Sequence, residues 1–398
     1  MNPRKAKILV LNSGSSSLKF QVLNMPDEIR ICQGLVERIG THTATLRFKA
    51  GTIKDEVQVQ AQNHREALEH IVAALLHPTN GVLKHTSDIA AVGHRVVHGG
   101  TIFNETTRID TDVKQAIASL APLAPLHNPH NLEGIILSED RFPKALQVAV
   151  FDTAFHCTLP DRARRYALPK ALFAERAIQV FGFHGTSHKY VSEQVRRLLP
   201  QNSKLITLHL GNGCSATAVL NGQSIDHSLG FTPTGGLIMG TRSGDLDPGI
   251  VPYLIQNLGY SVQEAEQIIT RESGLKGLTG FSDMRDVERE AAKGNPDCIL
   301  ALDLTAYRLR KYIGAYVAVM NGLDGLVFTG GIGENSSVLR QMVCSDLEVF
   351  GITLDTDRNT QVKQGIHEIQ ALHSRVRIWI VPTDEELEIA RQTFDLLP

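Results

Sequence analysis

The chain has 398 residues, 42% of them apolar and 21% charged, the balance of a folded protein of about two or three domains and not of a disordered one. Forty basic against 42 acidic side chains leave a formal charge of −2, which excludes a global attraction to nucleic acid or to an anionic membrane. With no apolar run of about 18 residues, no signal-peptide pattern, and five scattered cysteines (Cys32, Cys157, Cys214, Cys298, Cys344) that form no CxxC, the sequence predicts neither a membrane span, a disulfide framework nor a zinc site, and its expected setting is the cytoplasm.

The first predicted elements are strands over 7–11 and 17–23, joined by the turn Asn12-Ser13-Gly14-Ser15-Ser16-Ser17 with Lys19 on the outgoing strand. Glycine brings backbone close to a ligand, and successive N–H groups with serine hydroxyls can cup an oxyanion. A helix over 63–76 and a strand over 90–93 precede Gly93-His94-Arg95-Val96-Val97-His98-Gly99-Gly100, where Arg95 stands between an apolar strand and a glycine turn. Helices over 112–120 and 131–139 flank the proline-braced loop Leu126-His127-Asn128-Pro129-His130. A strand over 147–151 ends in Asp152, and Phe181-Gly182-Phe183-His184-Gly185-Thr186-Ser187-His188 turns into a helix over 186–199.

Strands over 204–209 and 215–220 enclose His209-Leu210-Gly211-Asn212-Gly213. Arg242 lies in the small-residue loop Gly240-Thr241-Arg242-Ser243-Gly244-Asp245, ahead of helices over 262–270 and 298–320. A strand over 325–329 runs into the third glycine loop, Gly330-Gly331-Ile332-Gly333-Glu334-Asn335, which opens a helix over 336–343; a helix N-terminus there offers unpaired N–H groups to an anion. A strand over 376–381 enters a helix over 384–396, where Thr383 and Glu386 have the spacing of a capping box and Glu385 is left to hold Mg²⁺ or to serve the helix dipole.

With Gly14 set on Gly213, both hairpins read as apolar strand, small polar turn, second apolar strand and then Asn, half a chain apart. This repeat predicts an α/β chain of two duplicated domains with a cleft between them; the boundaries expected are 1–150, completed by the helix 385–398, and 151–384. No GxxxxGK[ST], no HRD with DFG, no GxSxG and no HExxH occurs, so the phosphate-binding pattern is not a P-loop or a protein kinase. Arg95, His127, His184, His209 and Arg242 would make a cationic, hydrogen-bond-donating pocket in a near-neutral protein, suited to a transferring phosphoryl group.

The blocks LNSGSSSLKF, GHRVVHGG, APLHNPHN, FDTAFH, GFHGTSH, HLGNG, MGTRSGDLDPG, FTGGIGEN and PTDEEL stand in order along nearly the whole chain. Together they resemble the acetate/propionate/butyrate kinase family of the sugar kinase–actin-like superfamily. The resemblance implies two ribonuclease-H-like domains, a homodimer, and acetate kinase activity: reversible, direct in-line transfer of the ATP γ-phosphoryl group to acetate, giving acetyl phosphate and ADP, with Mg²⁺, for which Mn²⁺ can substitute. It implies Asp152, His184 and Arg242 as catalytic, and Arg95, Val97, Leu126, Phe183 and Pro233 as acetate-binding. Nucleotide contacts fall on Lys19, His209, Leu210, Gly211, Asn212, Gly213, Asp283, Met284, Arg285, Gly331, Ile332, Gly333, Glu334 and Asn335, and the metal on Asn12 and Glu385. Two places depart from the family pattern: Phe231-Thr232-Pro233-Thr234-Gly235-Gly236, where a Leu-Glu pair is usual, and Asp384, where Asn is usual. A propionate kinase and a pyrophosphate-using relative are alternatives within the class; an actin-like conformational ATPase is the alternative outside it.

Overall fold

Alternation along Ile8-Leu9-Val10-Leu11 decides how the first strand is buried. Leu9 and Leu11 point into one apolar cluster, with Leu68, Ile71 and Leu75. Ile8 and Val10 point into another, with Ile389 and Ala390. Successive side chains of a strand face opposite sides, so an unbroken apolar run marks a strand covered on both faces. The computed structural model describes residues 5–361 and 365–398. Its chain divides into two units, one reaching to Ala154 and completed by Asp384–Pro398, the other Phe155–Thr383.

The first unit holds β1 (Ala6–Ser13), β2 (Ser17–Met25), β3 (Ile29–Glu37), β4 (Thr45–Ala50), β5 (Ile53–Gln58), β6 (Ile89–Val96), β7 (Thr107–Arg108) and β8 (Leu146–Phe151), in the order β5-β4-β3-β2-β1-β6-β8-β7. The second holds β9 (Lys204–Leu210), β10 (Cys214–Leu220), β11 (Gln223–His227), β12 (Gly325–Thr329), β13 (His367–Glu368) and β14 (Arg377–Ile380), in the order β11-β10-β9-β12-β14-β13. Within them β3-β2-β1-β6-β8 and β11-β10-β9-β12-β14 are the same arrangement: an antiparallel meander whose first strand pairs in parallel with a later one, which in turn pairs in parallel with another. The duplication expected from the hairpins is therefore present in strand order.

Each predicted strand forms, as does each predicted helix: His64–Leu75, Thr111–Ser119, Asn128–Arg141, Gly185–Arg196, Val262–Arg271, Pro296–Met320, Ser337–Cys344 and Glu385–Asp395. One expected detail is corrected. Thr383 and Glu386 make no capping box, because Asp384 is the N-cap and its side chain accepts from the Leu387 N–H. The Thr383 hydroxyl bonds Ser187 Oγ at 2.9 Å, and Glu386, nearly buried, pairs with Lys19 at 2.5 Å. Asp384 also pairs with Arg30, so the added charge of this departure has a counter-ion.

Candidate active site

In the first unit the parallel strands β1, β6 and β8 end side by side, and their carboxyl ends deliver Asn12, Arg95 and Asp152. Open α/β sheets place ligands at such ends. Asp152 is 1% exposed and grips Arg95 on two sides: Nε donates to Oδ1 at 3.1 Å and Oδ2 at 3.0 Å, and Nη2 to Oδ2 at 2.5 Å. Nη1 reaches Asn12 Oδ1 only at 3.5 Å. Burial works to lower the Arg95 pKa, but the charges of Asp152 and Glu385 and the hydrogen bonds to Asp152 raise it. The guanidinium is thus permanently charged, and its Nη1 edge is left for an anion.

Glu385 opens the helix Glu385–Asp395. Burial pushes its carboxyl up, Arg95 pulls it down, and Asp152 and Glu386 push it up again. A half-buried carboxylate repelled by two others fits a hard divalent ion, which takes oxygen ligands and relieves that repulsion; the Asn12 side-chain oxygen, 3.5 Å from Arg95 Nη1, is of the same ligand class. Lys19 is 48% exposed and tied to Glu386, its charge also acts on Glu385, and it borders a cavity with Gln21 and Arg47.

Val97 is buried and Leu126 exposed. The Val97 and His98 N–H groups donate to Asn131 Oδ1 and Asn128 Oδ1, both at 3.1 Å. Asn131 Nδ2 also donates to Ser13 O at 2.8 Å. These two buried asparagines stand in the APLHNPHN block, of which the sequence singles out Leu126 and the two histidines.

In the second unit His209 lies next to last in β9 and pairs with Thr329 at the end of β12. His184 takes φ 56°, left-handed and costly for a residue with a Cβ, at the head of the helix Gly185–Arg196. Its ring stacks on His209, centroids 4.5 Å apart. Gly213 lies against both proposed phosphoryl contacts: a Cβ there would stand 3.3 Å from His184 Nε2 and 3.6 Å from Arg242 Nη1. Arg242 is half-buried; its Nη1 donates to Pro233 O at 3.0 Å, and burial lowers its pKa. Among the described residues no carboxylate pairs with it.

Behind His184 runs a chain the sequence did not predict. His184 Nδ1 meets Ser215 Oγ at 2.9 Å, Ser215 Oγ meets His188 Nε2 at 2.7 Å, and His188 Nδ1 meets Thr207 Oγ1 at 2.7 Å. His156 and His227 pack beside it, ring centroids 4.1 Å apart. His156 Nε2 donates to Phe183 O at 3.0 Å, and the Phe183 N–H donates to His227 Nε2 at 3.0 Å. Phe183 is thereby fixed and buried. His188 was visible in the GFHGTSH block, but nothing in the sequence tied it to Ser215.

The predicted nucleotide segments converge in this unit. A cavity of about 630 Å³ is lined by Gly211, Asn212, Asp283, Met284, Arg285, Gly331, Ile332 and Asn335, with Ser282, Glu288 and Ser336. Leu210, Gly333 and Glu334 adjoin these lining residues in sequence. Leu210 is buried, and Glu334 Oε1 accepts the Gly330 and Thr383 N–H groups at 3.1 and 3.2 Å. Gly330 has φ +77°, and a Cβ there would meet Leu210 O at 2.8 Å, so only glycine makes the turn. Buried Arg340, unforeseen, clamps it by donating to Gly333 O at 2.8 Å and Glu334 O at 3.0 Å.

The buried histidines set an acid limit on stability. Burial lowers His94 and His98 to about 4, and His188 and His227 well below the usual value. The unfolded chain binds protons at these sites from pH 6.5 downward while the fold does not, so stability present above 6.5 is lost as pH falls toward 4, by at most about 1.4 kcal/mol per unit for each. Asp226, pushed up to about 6 by burial, and Glu334, Asp384 and Glu385, also raised by burial, oppose this below their own pKa values, whereas the four imidazoles act from pH 6.5 downward. The urea midpoint is expected to fall between about pH 7 and about pH 5; an unchanged or rising midpoint contradicts the assignment of neutral histidines.

Two copies of one strand order in a single chain, each bearing polar loops at the carboxyl ends of its parallel strands, define the ribonuclease-H-like, actin-like kinase architecture. Residues 7–391 match the Acetokinase family. The chain is 51% identical over 391 residues to the acetate kinase of Flavobacterium johnsoniae, covering 98% of this chain and 99% of that one. The crystal structure of Porphyromonas gingivalis acetate kinase superposes with a TM-score of 0.93 at 41% identity, covering 99% and 100% of the two chains. A propionate kinase structure from Francisella tularensis gives 0.93 at 43% identity, covering 98% and 100%. The chain belongs to the Acetokinase family, whose members phosphorylate a carboxyl group. Among the described residues no helix is long and apolar enough to cross a membrane.

Proposed function

We propose that this chain transfers the γ-phosphoryl group of ATP to acetate, reversibly, giving acetyl phosphate and ADP. The observation that carries this reading is the meeting of His184 and Arg242 at Gly213, in the unit whose glycine turns line the cavity of about 630 Å³. An acetate oxygen forms the new bond to phosphorus while the bond to the bridging β–γ oxygen breaks, and ADP leaves with that oxygen. Acetate is ionised at neutral pH, its pKa being about 4 like other carboxyls, so no base is needed; the work is positioning and charge neutralisation.

Arg95 holds the acetate carboxylate through its Nη1 edge, with Asp152 fixing the other edge. Arg242 and His184 donate to the equatorial oxygens of the moving phosphoryl group. The Ser215–His188 chain orients the His184 ring. Gly211–Gly213, Gly331–Asn335 and Asp283–Arg285 hold the nucleotide. Asn12 and Glu385 would hold Mg²⁺ or Mn²⁺, whose chemistry is to neutralise phosphate charge. The helix Pro296–Met320 exposes Ile299, Leu300, Tyr307 and Val319, apolar surface that suits a homodimer.

Trapping acyl phosphate as hydroxamate tests the reaction. ATP, acetate and hydroxylamine should yield hydroxamate in step with ADP, whereas a conformational ATPase would release ADP without it. Propionate in the same assay addresses chain length. Buried Val97, proposed as an acyl-pocket wall, leaves little room, and one methylene is worth only about 1–3 kcal/mol. Propionate should therefore be a poorer substrate, not a rejected one; equal kcat/KM for the two acids refutes the preference.

A further inference from the structure

His64, His130 and Glu133 bring three ligand atoms within 4.8 Å of one another in the first unit. None of the three belongs to the phosphotransfer machinery. His64 is the first residue of the helix His64–Leu75; the other two lie one turn apart on the helix Asn128–Arg141. His64 is 5% exposed. Its Nε2 lies 2.7 Å from Gly14 O, and a carbonyl can only accept, so in the neutral ring the single N–H is on Nε2 and Nδ1 carries a lone pair. That lone pair faces Glu133 Oε2 at 3.5 Å, and His130 Nδ1 lies 3.9 Å from the same oxygen. The two rings stack at 24° with centroids 5.4 Å apart. Two acceptors, the His64 Nδ1 lone pair and the Glu133 carboxylate, thus face each other with His130 Nδ1 beside them.

We propose that these three residues form a binding site for a borderline divalent transition ion such as Zn²⁺ or Co²⁺, outside the phosphotransfer site. Two imidazoles and a carboxylate suit such ions and not Mg²⁺, which prefers oxygen. Bonds of about 2.0–2.1 Å in a tetrahedral shell put neighbouring ligands about 3.3 Å apart. The 3.5 Å pair is close to that already, and the other ligands need only small rotations of half-exposed side chains, His130 and Glu133 being 34% and 44% exposed. Their exposure gives the ion an entry path and room for water as the fourth ligand. The His64 N–H on Gly14 O is the outer-shell bond that metal-ligating histidines usually make, and it fixes the tautomer. The bound ion clasps two helices to the β1–β2 turn, which Asn131 already touches through Ser13 O.

The full-length protein, stripped with chelator and kept in millimolar Mg²⁺, should take up one equivalent of Co²⁺. The complex should show visible d–d bands without thiolate charge transfer, lose the Co²⁺ to Zn²⁺, and melt at a higher temperature than the stripped protein. His130→Ala and Glu133→Gln, both at half-exposed positions that leave the core intact, should each weaken Co²⁺ binding about tenfold or more. Failure to bind at one equivalent, a thiolate band, or unchanged affinity in both variants overturns the site.

Discussion

Arg242→Ala is expected to lower turnover about 10²–10³-fold, the usual loss when one preorganised transition-state donor is removed. The size follows from the surroundings of Arg242. Arg95 is neutralised by Asp152, but the Arg242 guanidinium is half-buried, held in place by its bond to Pro233 O at 3.0 Å, and unmatched by any carboxylate among the described residues. A desolvated cation without a counter-ion is costly unless an anion completes it, and the phosphoryl group in flight carries the most equatorial charge. KM for ATP should change little, because the contact strengthens in the transition state and not in the bound substrate. Arg242→Lys should recover only part of the loss, since a point charge does not reproduce the planar fork. Steady-state kinetics at saturating acetate measure this; near-parental turnover in Arg242→Ala would remove the residue from catalysis.

Legibility in the sequence followed burial and chain locality. The strands foreseen are those buried on both faces, such as Ile8-Leu9-Val10-Leu11 and the all-buried β12. The outer strands β3, β4, β5, β7, β11 and β13 escaped. β5 (Ile-Lys-Asp-Glu-Val-Gln) is almost wholly exposed, an edge guarded by charge, and β3 carries a mid-strand glycine because the Phe20 ring leaves no room for a Cβ at Gly34. Strand-end residues were legible because glycine turns announce them: Arg95, Asp152, His209 and Gly330 all lie where the pattern put them. Partners fixed only by tertiary contact were not. Nothing local ties His188 to Ser215, Asn131 to Ser13, or Arg340 to Gly333. Nor does anything local tie Lys19, which the motif places with the nucleotide, to Glu386, 2.5 Å away.

Asp152→Ala is expected to lower kcat/KM for acetate about 10²-fold, the scale of a misplaced substrate anchor. It should also cost up to about 3–5 kcal/mol of stability, the range for breaking a buried ion pair from one side. Arg95 is 21% exposed, which moves the stability loss toward the low end. The carboxylate has two conceivable roles, to remove a proton or to hold a side chain. Both its oxygens are engaged by Arg95 Nε and Nη2 at 2.5–3.1 Å, and the proposed acceptor reaches the enzyme already ionised, so there is no proton to take. Holding Arg95 is the role that remains, and it has a distinctive consequence. If Asp152 acts through Arg95, the double variant Arg95→Ala/Asp152→Ala loses no more activity than Arg95→Ala alone, because residues working as one unit are not additive. Asp152→Asn keeps the shape but turns an amide N–H₂ toward one guanidinium donor, so it should fall between parent and Asp152→Ala, mainly through a raised KM for acetate. Multiplicative losses in the double variant, or a fall confined to kcat with a shifted pH profile, would return the residue to proton transfer.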